Sequence, residues 1–88
     1  RVLVLGTGPI GLIHCALAAS AHASVMACGR PNRLSPALAL GAQVTTASQG
    51  DDLVAEVRDW TGGAGADVVI IAVGDPGLVP YPLLKGTL

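Results

Sequence analysis

The residues best suited to holding a ligand are the glycines of Gly6-Thr7-Gly8-Pro9-Ile10-Gly11, spaced G-x-G-x-x-G. Each spacing meets a separate steric demand. Gly6 lets the chain leave a strand tightly, Gly8 removes a side chain where a pyrophosphate approaches the backbone, and Gly11 lets a helix press on a sheet. The first turn of a helix has N–H groups without partners and a partial positive charge, so an anion satisfies both. Pro9 suits that turn because it has no N–H to orphan and its φ is preset. The donors left for a phosphate are then Ile10 and Gly11. In a chain with 12 glycines the spacing alone carries little. Its weight comes from context, since apolar Val2 to Leu5 precedes it and apolar Leu12 to Ala19 comes after.

Other reactive side chains are sparse. Cys15 and Cys28 are too few and too far apart for a zinc knuckle and read as buried free thiols in a reducing compartment. His14 and Cys15, being adjacent, cannot share one helix face, which disfavours a metal pair. No residue stands out as a catalyst and no metal-ligand set is expected. Tyr81 and Lys85 are spaced YxxxK, but Pro82 between them poorly suits the helix such a catalytic pair needs. Arg30 and Arg33 come just after the second apolar run and are suited to pairing with a phosphate.

The elements that position these residues alternate. Leu12 to Ala21 carries no charge, so a helix with both faces against protein is expected, with His22 at its stop in a left-handed position where glycine is common. Ser24 to Cys28 reads as a strand, and Gly29 to Arg33 as the loop leaving it. Leu34 to Leu40 reads as a short helix, starting near Ser35 because of Pro36 and ending at Gly41. Gln43 to Ala47 is more polar and suits an edge strand. Asp51 and Asp52 open an amphipathic helix with Leu53, Val54, Val57 and Trp60 on its stripe, Arg58 near its end and Thr61-Gly62-Gly63 as its stop. Trp60 completes the stripe and is expected in the core. Val68 to Val73 is a β-branched apolar run, expected as a strand buried on both faces. Beyond Gly74 the prolines disfavour a regular helix. The order β-α-β-α-β-α-β with right-handed crossovers gives a parallel sheet, strand order 3-2-1-4, with the glycine turn at the switch point.

A chain of 88 residues makes one domain at most and buries only roughly 60 to 65 % of its unfolded surface. Hydrophobic residues make up 51 % of it and charged ones 12 %, more apolar than a small free-standing domain usually is. That excess needs cover, which leaves room for a homo-oligomer. Apolar runs fall short of the roughly 18 residues a bilayer crossing needs. The start lacks the features of a signal peptide, so a cytoplasmic protein with no membrane partner is expected. A net charge of −1 with one Trp and one Tyr argues against a nucleic-acid surface.

Three stretches in order, VLVLGTGPIGL, Leu40-Gly41-Ala42 and DWTGGAGADVVIIAVG, resemble the cofactor domain of medium-chain dehydrogenases, most closely zinc-type alcohol, polyol and threonine dehydrogenases. The resemblance covers nearly all of the chain to Gly74. It implies a partial Rossmann-type fold over residues 1–88, with helices on both faces of the sheet. By that resemblance Gly6, Gly8 and Gly11 hold the pyrophosphate, Ile10 packs on the nicotinamide, and Ala72, Val73 and Gly74 line the cofactor's ribose. Members that prefer NAD carry an acid at the end of the second strand, a place taken here by Cys28 or Gly29. With Arg30 and Arg33 beside it, NAD(P) binding with a lean to NADP is expected, Arg30 contacting the 2′-phosphate. The family's zinc ligands and proton relay lie mostly in another domain, so the chain reads as a fragment whose catalytic domain, with any zinc, is missing. The function implied is the cofactor-binding portion of an alcohol or polyol oxidoreductase. The alternatives are a non-catalytic dinucleotide-binding module and a truncated product without independent activity.

Overall fold

The computed structural model describes residues 1–73. Gly74 and the Tyr81–Lys85 pair lie outside the described residues. The elements are β1 (Val2–Leu5), α1 (Pro9–Ser20), β2 (Val25–Cys28), a 3-10 turn (Pro31–Arg33), α2 (Leu34–Ala39), β3 (Val44–Thr46), α3 (Gly50–Trp60) and β4 (Val68–Ile71). All strand pairs are parallel and the order is β3-β2-β1-β4, as the alternating pattern requires. This is a Rossmann-type α/β sheet.

Period-two alternation sorts the strands' side chains onto two faces. Leu3, Leu5 and Met26 face α3, where Leu53, Val54 and Val57 close one core with Ala66. Val4, Val25 and Ala27 face the other way, onto Cys15 of α1 and Ala37 of α2 with Ala42. Both cores share one sheet, so the four strands are clamped from two sides. Their carboxyl ends are level: Leu5 pairs with Cys28 and with Ile71, and Cys28 pairs with Thr46. The ladder continues one residue further, with Gly6 N–H donating to the Cys28 carbonyl at 2.8 Å and Ala72 N–H to the Leu5 carbonyl at 2.8 Å.

α3 is what its charge pattern and stripe predict. Asp51 and Asp52 stand in its first turn and Arg58 in its last. Its end is tied down by Thr61, whose Oγ1 donates to the Val57 carbonyl at 2.9 Å and accepts from Gly65 N–H at 2.8 Å. Trp60 is half-buried against the core, with the Arg1 guanidinium 5.9 Å above its ring. His22 adopts the left-handed stop, at φ 65°.

Three expectations need correction. α1 does not meet protein on both faces: Ile10, Ile13 and Leu17 are 66 %, 58 % and 59 % exposed. Absence of charge marks a surface meant to be covered, but it does not supply the cover. β4 stops at Ile71 and is not buried on both faces, since Val68 and Ile71 are 48 % and 44 % exposed. Among the described residues β4 pairs with β1 alone, so its other side is an edge. Finally, the stretch after β2 is not a plain loop, and α2 starts at Leu34, ahead of Ser35. Pro31 opens a 3-10 turn that runs into the helix. Pro36 falls within the helix's first turn, where its missing N–H has no partner to lose. Among the described residues, no helix is long and apolar enough to cross a membrane.

Candidate functional site

A cleft of about 500 Å³ opens over the carboxyl ends of the strands, where an open parallel sheet places its ligands. The turn after β1 forms its floor. Gly6 has φ 111°, a conformation that favours glycine, and a Cβ there would sit 2.7 Å from the Ala72 carbonyl oxygen. A Cβ on Gly11 would collide with the Gly6 carbonyl oxygen. These two glycines are therefore required by the fold itself. Gly8 is not: its φ is −72°, and a Cβ there would meet nothing within 4 Å. It faces open space on the cleft.

Pro9 opens α1 at its first position, and the helix's first bond runs from Leu12 N–H to the Gly8 carbonyl at 2.9 Å. The N–H groups of Ile10 and Gly11 precede that bond and have no acceptor within the helix.

The opposite wall is the end of β2 together with the stretch that leaves it. Cys28, Gly29, Arg30, Pro31 and Arg33 all line the cleft. Gly29 is held against Thr7: a Cβ there would collide with the Thr7 hydroxyl oxygen and lie 2.8 Å from its methyl carbon. Arg30, Pro31 and Arg33 are exposed. Cys28 is half-buried, and its Sγ donates to the Ser48 carbonyl at 3.5 Å. Burial first, and then the Glu56 carboxylate, push its thiol pKa upward.

Of the residues singled out from the sequence, Gly6, Thr7, Gly8, Cys28, Gly29, Arg30, Arg33, Ala72 and Val73 meet at this one cleft. Pro9 and Ile10 stand beside it at the start of α1, and Gly11 lies buried under the Gly6 carbonyl. Sequence reasoning missed Ala47, Ser48 and Gln49, which line the cleft past the end of β3. The rule that ligands sit beyond strand carboxyl ends would have nominated them.

Residues 9–81 match the family described as zinc-binding dehydrogenase. The chain belongs to that family. It is 37 % identical over 82 residues to the L-threonine 3-dehydrogenase of Bacillus velezensis, a match spanning 91 % of this chain and 24 % of that protein. It is 40 % identical over 90 residues to the (R,R)-butanediol dehydrogenase of Bacillus subtilis, covering 100 % of this chain and 26 % of the relative. Among solved structures, Escherichia coli quinone oxidoreductase complexed with NADPH superposes with a TM-score of 0.70 at 26 % identity, over 86 % of this chain and 24 % of that one. The chain thus spans about a quarter of the length of the relatives it matches. The family's zinc does not fit the residues described, among which no three His, Cys, Asp or Glu side chains come together as a metal site.

Proposed function

We propose that this chain is the dinucleotide-binding part of an NAD(P)-dependent oxidoreductase that moves hydride between the cofactor and an alcohol, polyol or carbonyl substrate, with NADP preferred. The observation that carries the reading is Gly8. Gly6 and Gly11 are explained by close packing, but none of the described residues occupies the space beside Gly8. A ligand's phosphates explain a missing side chain that the fold does not need.

Each residue then has a part in binding or orientation. The Ile10 and Gly11 N–H groups donate to the pyrophosphate, helped by the dipole of α1. Ile10 offers its exposed side chain as an apolar rest for the nicotinamide. Ala72 and Val73, at the end of β4, flank the ribose of that half. Arg30 and Arg33 take the 2′-phosphate, a pairing to which guanidinium geometry is suited. Among the described residues no carboxylate lines the cleft to accept from an unphosphorylated ribose. When bound, the cofactor supplies a hydride donor or acceptor at C4 of its nicotinamide. Cys28, Arg30 and Arg33 are the titratable residues among those described at the cleft, and substrate recognition and proton transfer are assigned to residues other than these.

Calorimetric titration with NADPH and NADH tests the reading. Saturable binding is expected, tighter for NADPH. Gly8→Ala is expected to weaken binding by about tenfold or more while leaving the melting temperature within a degree or two, because the added methyl displaces ligand and not protein. A Gly8→Ala protein that binds as well as the parent refutes the phosphate cradle.

A further inference from the structure

One residue of the cleft's outer wall, Ser48, belongs to a polar pair to which pyrophosphate and ribose binding give no part. Ser48 lines the cleft just past β3, and its Oγ donates to the Glu56 carboxylate on α3 at 2.7 Å. Its backbone is held as well. Ser48 N–H donates to Thr46 Oγ1 at 3.0 Å, and its carbonyl accepts from Cys28 Sγ at 3.5 Å. Glu56 is exposed and is not among the residues lining the cleft.

A serine hydroxyl has one proton and two lone pairs. With the proton committed to a carboxylate, Ser48 can only accept. Its charged neighbours on the cleft, Arg30 and Arg33, can only donate, and the Gln49 amide can do either. Ser48 is thus a fixed acceptor on a wall otherwise rich in donors.

Its place in the sheet says which part of a ligand it meets. The phosphates belong to the turn after β1, and the adenosine ribose to the end of β2. The next strand outward is β3, level with the other two. At about 4.8 Å per strand, the end of β3 lies roughly 10 Å from the glycine turn, across the ribose and under the base.

We propose that Ser48, fixed as a hydrogen-bond acceptor by Glu56, reads the 6-amino group of the cofactor's adenine and rejects a 6-oxo base. The inference rests on the dinucleotide reading of the cleft. Adenine presents N–H there, which Ser48 accepts. A hypoxanthine base presents an oxygen at that position, which meets the Ser48 lone pairs and forfeits this hydrogen bond.

The test is calorimetric titration of the whole chain with NADPH and with its deamino analogue, which differ at position 6 and in the proton that the 6-oxo base carries on N1. The parent is expected to bind the deamino form about five- to tenfold more weakly. Glu56→Ala frees the hydroxyl to turn and donate, so the two ligands should come within about twofold of each other while NADPH affinity barely changes. Ser48→Ala should also level them, by weakening NADPH. A role in stability alone would move both ligands together and leave their ratio unchanged. Equal binding of both ligands by the parent overturns the proposal, and so does a ratio that survives Glu56→Ala. Failure of the parent to bind either ligand, or NADH, overturns the dinucleotide reading and takes this one with it. The same comparison made with NADH and deamino-NADH separates the base from the 2′-phosphate.

Discussion

The turn after β1 and the stretch after β2 face each other across one cleft and are held by different means. In the turn, Gly6 and Gly11 are locked by backbone: one lies against the Ala72 carbonyl, the other against the Gly6 carbonyl. After β2 only Gly29 is locked, and by a side chain, that of Thr7. Beyond it Arg30, Pro31, Asn32 and Arg33 are exposed. A region whose shape is fixed by backbone contacts can bind what all dinucleotides share, but it cannot be retuned without breaking the fold. The exposed stretch can change its charge at little cost to stability, so under the proposed function the choice between nucleotides falls to it.

The sharpest way to break this contrast is Gly11→Ala. Inside a helix, alanine in place of glycine ordinarily stabilises by about 1 kcal/mol. Here the new methyl meets the Gly6 carbonyl oxygen, and overpacking of this kind costs about 3 kcal/mol. The sign therefore decides. Thermal unfolding monitored by circular dichroism should show a melting temperature lower by roughly 10 °C or more, or no folded protein. A variant as stable as the parent would mean that the turn is not locked.

Gly29→Ala should cost less, about 1 to 3 kcal/mol, because the obstacle is a side chain. Thr7→Gly removes that obstacle. In a double-mutant cycle the pair should show a coupling of about 1 kcal/mol or more, with the second change recovering much of the first loss. Strictly additive effects would show that Thr7 does not hold Gly29. The contact also explains why no acid stands at position 29, since a carboxylate there would first have to displace Thr7.

Arg30→Ala acts on the exposed side only. It should leave the melting temperature unchanged and weaken NADPH by about tenfold, the worth of a charged hydrogen bond, while NADH changes little. If the ratio of the two affinities is the same in parent and variant, Arg30 does not read the 2′-phosphate.

Much of this arrangement was legible in the sequence, for reasons that differ by element. β1 shows as an apolar run and β4 as a β-branched one, α3 as a stripe with charges at the correct ends, and the rule of right-handed crossovers turns their order into 3-2-1-4. The glycine spacing and its context marked the floor of the cleft. The exposure of Ile10, Ile13 and Leu17 was not legible, because an uncharged helix reads the same whether or not something covers it. The outer side of β4 was hidden for the same reason. Nor could the 3-10 turn at Pro31 be read from a loop-like composition. The Ser48–Glu56 pair joins a loop to a helix eight positions on, a separation that no periodic pattern marks.

The smallest effect lies where the two regions come closest to a shared reporter, at Cys28. Its thiol lines the cleft, and both burial and the Glu56 carboxylate raise its pKa. A raised pKa leaves less thiolate at a given pH, and the thiolate is the nucleophile that attacks alkylating agents. Iodoacetamide should therefore label Cys28 several-fold more slowly at pH 8 than it labels a free thiol. Removing the neighbouring negative charge, as in Glu56→Ala, lowers the pKa and should speed labelling. Saturating NADPH should slow it, by covering the sulfur. Cys15 is buried between α1, which carries it, and the sheet, where burial raises its pKa too, and it should stay unlabelled in the folded protein. Mass spectrometry of the labelled chain over time reads all of these rates. Labelling of Cys28 at the same rate with and without bound cofactor would place the nucleotide elsewhere than against the end of β2. It would also remove the ground for assigning the choice of nucleotide to the exposed stretch from Arg30 to Arg33.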